Sequence, residues 1–226
     1  MTWFPSPYPD ELFYSVLCRY YLSSGIKEHY LVKKQLFGTK AGVKMATLYP
    51  NATVHAALLQ LPDGVFGERD MILRHTPFLY YARMYPQEER EVLLDDLVQG
   101  RSRTPTHLWK TFPKDNYALR YCPSCVQEDT QIYGEPYYHV EHQIPLSSVC
   151  VRHKCRLKQI AVDNPRLALN NRFYPLGTVE TAREPDMDVT PAELQVSGLV
   201  REYWKLPASV SPPACNNLYQ TLLNGG

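Results

Sequence analysis

Apolar positions in the first half of the chain recur at helical spacing. Between Glu11 and Ser24, the residues Leu12, Phe13, Val16, Leu17, Tyr20 and Tyr21 fall three and four positions apart, which gathers them on one face of an amphipathic helix. Asp10 is its expected N-cap, and Gly25 its expected stop, because glycine enters the left-handed C-terminal conformation without strain. A second helix is expected from about Lys27 to Phe37, with Leu31, Leu36 and Phe37 apolar and Gly38 ending it. Two short helices joined by a glycine turn have the outline of a helix-turn-helix, which many helical cores share. Further helices are expected from Asn51 or Thr53 through Leu61, from Glu68 to His75, and from Gln87 to Val98 with Val92, Leu93 and Leu97 inward.

Where the periodicity breaks, the breakers say how. Prolines at positions 5, 7 and 9 block a helix and favour an extended arm from Trp3 to Pro9 that carries large aromatics. Residues 100–114 are polar, basic and rich in turn formers, a natural connector, with a domain boundary near residue 115. Beyond Cys155 follow a short segment from Leu157 to Val162, a loop rich in Asn and Pro through Asn170 and Asn171, and helices from about Pro191 to Trp204 and from Asn216 to Leu223. The expected fold is mainly α: a helical N-terminal domain over 1–114 with its arm, a small zinc-finger module over 115–160, and a C-terminal helical segment over 161–226.

Composition narrows the class. A chain of 226 residues can build a sizeable core, and its formal net charge of +1 argues against bulk electrostatics as the source of nucleic-acid affinity. The charge is nonetheless segregated. Lys27, Lys33, Lys34, Lys40 and Lys44 form one basic stretch, Arg101, Arg103, Lys110, Lys114 and Arg120 a second, and Glu88 to Asp96 an acidic one around Arg90. Solvated faces account for such runs as readily as partners do. The sequence has neither an apolar run of the length that spans a membrane nor the pattern of a signal peptide at Met1–Pro5, so a cytoplasmic, reducing location is expected.

That location bears on the cysteines. Cys122-Pro123-Ser124-Cys125 and Cys150-Val151-Arg152-His153 are two ligand pairs, each three positions apart, and two such knuckles supply the four tetrahedral positions zinc prefers. A closed structural Cys3His zinc site on Cys122, Cys125, Cys150 and His153 is the expectation, with buried thiols or disulfides as the blander reading. His139, His142 and Cys155 lie close in sequence and are chemically competent. His139 and His142, spaced as one helix face, would otherwise be hydrogen-bonded core or supporting residues. Three thiolates leave a dication's site negative, and Arg152, Lys154 and Arg156 are placed to offset that charge or to face a phosphate. Cys18 and Cys215 are expected to be unpaired. Enzyme signatures do not survive scrutiny: the segment Gly38 to Lys44 lacks the Gly-Lys-Ser/Thr of a phosphate loop, and a closed four-ligand site leaves no place for a reactive water.

Motif order adds a likeness. The opening Phe4-Pro5-x-Pro7-Tyr8-Pro9-Asp10-Glu11-Leu12-x-Tyr14-Ser15, with Arg19 after it, resembles the start of the TniQ/TnsD transposition target selectors. The segment Arg120-Tyr121-Cys122-Pro123-x-Cys125, then Glu128-Asp129, Tyr133 to Tyr137, His142-Gln143-Ile144-Pro145 and Cys150-x-x-His153, is similar to that family's zinc module. The resemblance implies an adaptor without catalysis of its own. It would mark an insertion site on double-stranded DNA and recruit an oligomeric AAA+ ATPase of the TnsC type, which brings the transposase. Some members read a DNA site themselves, others dock on a CRISPR RNA-guided effector complex, and both modes stay open. On this footing Trp3, Phe4, Pro5 and Tyr8 are the expected partner contacts, unless the arm folds back over the core, and Lys33, Lys34, Arg101 and Arg103 the expected phosphate contacts. A stand-alone zinc-containing DNA-binding transcription regulator is the alternative. Longer relatives continue with further helical DNA-binding domains, whereas this chain stops at Leu222-Leu223-Asn224-Gly225-Gly226, which leaves a C-terminal truncation open.

Overall fold

The computed structural model describes residues 3–38, 53–61, 67–83, 85–101, 119–162 and 171–210. The connector after Arg101, the boundary near residue 115, Arg103, Cys215 and the helix expected from Asn216 lie outside them. Within the described residues the protein is mainly helical, as its periodicity predicts.

The first helix, α1 (Phe13–Ser24), ends at Gly25 with φ 67°, the left-handed stop expected of it. Its start differs from expectation. Leu12 occupies the N-cap position without a side-chain bond, and Asp10, at φ 59°, turns away to meet His139. Next come α2 (His29–Phe37), α3 (Thr53–Leu58), α4 (Glu68–His75) and α6 (Gln87–Val98), all near their expected bounds. Between the last two lies α5 (Phe78–Ala82), which the pattern did not predict. Phe78, Tyr80, Tyr81 and Ala82 are all buried, so this helix has no polar face to betray its period. α3 packs against α2, α4 and α6, and α4 also against α5 and α6.

The second half is built on short pieces. β1 (Arg120–Tyr121) pairs antiparallel with β4 (Lys158–Gln159), and β2 (Val149–Cys150) with β3 (Cys155–Arg156), the latter in a register that sets Cys150 opposite Cys155. α7 (Pro123–Tyr133) begins inside the first cysteine pair and ends at Gly134 with φ 82°. Pro at its first position suits a helix start, where the missing N–H is no loss. α8 (Val140–Gln143) is a single turn.

These pieces lean on the first half rather than standing apart. Leu12 N–H donates to the Tyr138 carbonyl at 2.7 Å and Val140 N–H to the Asp10 carbonyl at 2.8 Å, a short bridge between the arm's end and the segment before α8. Val16, Leu17, Val32, Leu36 and Ile72 share one contiguous buried cluster with Leu119, Tyr138, Ile144 and Val200. Each such side chain contributes about 1.5–3 kcal/mol by leaving water. The last described helix, α9 (Pro191–Lys205), opens with a capping box between Thr190 and Glu193. Its buried Ser197 Oγ accepts the N–H groups of Ser148 and Val149, both at 3.2 Å, while its C-terminal end is held by the buried Arg83 guanidinium, which donates to the carbonyls of Trp204, Leu206 and Pro207. Thus α9 ties β2 to α5. No helix among the described residues is long and apolar enough to cross a membrane.

Candidate metal centre

Two local structures face each other. Cys122 is the N-cap of α7 and Cys125 lies in its first turn, with the Cys125 N–H donating to Cys122 Sγ at 3.4 Å. A helix N-terminus favours sulfur in its thiolate form, since the unpaired N–H groups and the helix dipole both attract negative charge. Cys150 ends β2, and His153 sits in the turn that leads to β3. Lys154, at φ 53°, makes that turn tight, and its N–H closes it on the Cys150 carbonyl at 2.7 Å.

The four ligand atoms of Cys122, Cys125, Cys150 and His153 all lie within 4.8 Å of one another. Their separations allow a fit test. Metal–sulfur bonds of about 2.3 Å and metal–nitrogen bonds of about 2.0–2.1 Å at tetrahedral angles demand edges of about 3.8 Å between sulfurs and about 3.6 Å between sulfur and nitrogen. Cys125 and Cys150 Sγ are 3.8 Å apart, and His153 Nδ1 lies 3.3, 3.5 and 3.7 Å from the sulfurs of Cys125, Cys122 and Cys150. The donor set fits a tetrahedral ion. Sulfur crowding has an electrostatic consequence as well. Hydrogen bonds from Cys122 and Cys125 pull the Cys150 thiol down, and sharing with Cys122 and Cys150 pushes Cys125 up.

Outer groups support these ligands. The Glu128 carboxylate lies 3.3 Å from His153 Nε2, which turns Nδ1 toward the sulfurs, and 3.2 Å from Arg152. Arg152 in turn donates to Cys125 Sγ at 3.2 Å, the charge offset expected of it. Arg156 does something else: it pairs with Glu193 at 2.6 Å and anchors the start of α9. His142 is buried with Nε2 3.9 Å from Cys125 Sγ, beside the cluster. His139 faces away from it, between Asp129 at 2.8 Å and Asp10 at 3.4 Å. Cys18 is buried in α1 as a free thiol.

The arm has a different environment. Phe4 and Pro5 are buried, Phe4 stacking on Tyr20, while Trp3 lies over the same ring yet is 52% exposed. Tyr8 is half-buried under the Arg19 guanidinium, which sits 3.7 Å above its ring. Arg19 also donates to Glu11 at 3.0 Å, Glu135 at 2.7 Å and the Ser6 carbonyl at 3.1 Å, and the Tyr8 hydroxyl donates to the same Glu135 oxygen at 3.0 Å. Arg19 thus clamps the arm onto the half that holds the Cys3His cluster, a role its sequence position alone does not reveal. Lys33 and Lys34 stand on α2, Lys33 half-buried with its pKa lowered by desolvation and Lys34 exposed. Arg101 is exposed and pairs with Asp96 at 2.6 Å.

Comparison with known proteins bears on the same regions. A curated relative, the transposon Tn7 transposition protein TnsD of Escherichia coli, is 28% identical over 181 residues, covering 78% of this chain and 35% of its own length. The chain therefore spans about a third of that relative, 35%. The TniQ family model matches residues 2–157, from the arm through the ligand cluster to Leu157. With more than half its length matched, and with the arm, the Arg19 clamp and the Cys3His cluster all inside the match, the chain belongs to the TniQ family.

Proposed function

We propose that this chain is a target-selection adaptor for DNA transposition, which engages double-stranded DNA and recruits a TnsC-type AAA+ ATPase. The observation that carries this reading is the joint coverage, by one family match, of the arm and the Cys3His cluster. Membership alone says kinship. The geometry adds a platform: an aromatic arm pinned by Arg19 to the half of the molecule that the metal centre organises.

The ion is zinc on this reading, because three cysteine sulfurs and one imidazole at tetrahedral separations suit it better than the harder divalent cations. Bound zinc supplies a cross-link between the α7 N-terminus and the β2–β3 turn, and no open position for chemistry. Cys122, Cys125, Cys150 and His153 hold it, Glu128 orients His153, and Arg152 offsets charge at Cys125. Trp3 is the ATPase contact we favour within the arm: it is exposed, large and already stacked on Tyr20, so it loses little freedom on docking. Phe4, Pro5 and Tyr8 shape the arm beneath it. Lys33 and Lys34 on α2, with Arg101 and Arg103, contact backbone phosphates.

The test is fluorescence anisotropy on labelled duplex DNA, with the zinc-loaded chain alone and with ATPase plus a non-hydrolysed ATP analogue. Weak, salt-sensitive binding alone that becomes tight with the ATPase is the expected result. Tight binding by the chain alone, unchanged by the ATPase, would instead establish a stand-alone regulator.

A further inference from the structure

The centre contains one thiol more than its four ligands. Cys155 is fully buried, with Sγ 3.3 Å from Cys122 Sγ. Two features fix it there. The β2–β3 register sets it directly across from Cys150, and the turn closed by Lys154 leaves that pairing no slack. A 3.3 Å contact is well short of the roughly 3.8 Å that separates two sulfurs on one tetrahedral ion. Cys155 is also outside the group whose ligand atoms all lie within 4.8 Å of each other. It touches a ligand without taking a corner.

Charge explains what such a thiol is for. Three thiolates around a dication leave an excess negative charge, and a buried charge without donors is costly. Cys125 has the Arg152 guanidinium at 3.2 Å. Cys122 is 0% exposed and receives, among the described residues, one long N–H bond from Cys125 at 3.4 Å. Its neighbour His153, with Nδ1 at 3.5 Å, belongs to the ligand set and is spent on the metal, which leaves Cys155. A metal-bound thiolate has no proton to give, so across that contact Cys155 alone can donate. We propose that Cys155 is a positioning residue of the metal centre, whose thiol donates an S–H···S hydrogen bond to the metal-bound Cys122. The proposal rests on the reading of the cluster as a metal site.

Metal release separates the possibilities. Zinc-loaded chain, Cys155→Ser and Cys155→Ala are mixed with a colorimetric chelator, and their cobalt-substituted forms are compared by absorption. Wild type should bind one equivalent of metal. Cys155→Ala should keep that stoichiometry and the tetrahedral cobalt bands, shift the thiolate-to-cobalt band, and release zinc about 10-fold faster or more, the usual size of such supporting contacts. Cys155→Ser keeps a donor and should release zinc near the wild-type rate. The proposal is overturned if Cys155→Ala matches wild type, or if Cys155→Ser is as fast as Cys155→Ala. Loss of the tetrahedral bands in both variants would make Cys155 a ligand and overturn it too. A wild-type chain that takes up no metal removes the metal reading, and this proposal with it.

Discussion

Arg19 illustrates how a single residue couples distant segments. Its guanidinium serves the buried Glu11, the half-exposed Glu135 and the Tyr8 ring at once. Arg19→Met keeps the stem's packing but strands the Glu11 carboxylate, and should cost roughly 3 kcal/mol in urea unfolding, with a protease-accessible arm. An unaltered midpoint would show that the clamp carries no stability. His139 makes a pH-dependent contribution. Burial pulls its pKa down, but the hydrogen bonds and charges of Asp10 and Asp129 together raise it to about 9. A folded pKa above the unfolded value of about 6.5 means stability that is complete below that value and lost as pH rises through 9. Burial pushes Glu11 up to about 7 against the pull of Arg19, so it acts in the same direction at lower pH, between its unfolded pKa and about 7. Between pH 7.5 and 9 wild type should lose about 2 kcal/mol of unfolding free energy through His139, and His139→Gln should show a profile shallower by that amount. At this scale the four residues of the Cys3His cluster were legible, because paired spacing three residues apart is local. Arg83 and Ser197 were not, nor were the contacts of Arg19 and Cys155, both residues already in view, since the partners arrive from remote parts of the chain.

Elements were legible where burial is one-sided. α1, α2, α4, α6 and α9 were found by their periodicity or by glycine, proline and capping signals. α5 is buried along nearly its whole length, and the start of α7 is set by the Cys122 cap, which a knuckle reading obscures. Close packing between elements gives one sharp test. Gly100, at φ 66° beyond α6, would place a Cβ 2.3 Å from the His55 ring of α3. Gly100→Ala should therefore lose roughly 2–3 kcal/mol from left-handed strain and overpacking, seen as a lower urea midpoint; a neutral result would mean that α3 and α6 can part freely. Metal removal acts on a different set. The β1–β4 and β2–β3 ladders are two residues long on each strand, too short to persist alone, so a chelator should abolish amide protection over 119–160 first. Cys125→Ser or Cys150→Ser should do the same. Full protection after verified metal loss would show that packing on α1 and α9 suffices.

At the scale of the molecule, the half that holds the metal cluster is not an appendage. The Leu12–Tyr138 and Val140–Asp10 bonds, the Arg19 clamp and α9 all pass between it and the N-terminal helices, and one apolar cluster runs through both. A perturbation at the Cys3His cluster should thus reach the arm. This coupling was invisible in the sequence, where the halves are separated by a polar connector and read as successive modules. It gives the proposed adaptor a simple mechanism: the metal sets the frame, the frame pins the arm, and the arm's exposed Trp3 is offered at a fixed place. The most direct test is co-sedimentation of the zinc-loaded chain with TnsC-type ATPase filaments on duplex DNA and a non-hydrolysed ATP analogue, beside Trp3→Ala, whose fold should be intact. Saturable retention of the wild-type chain that depends on the analogue and drops at least tenfold in Trp3→Ala is the predicted result. A folded, zinc-loaded wild-type chain left entirely in the supernatant would contradict the account.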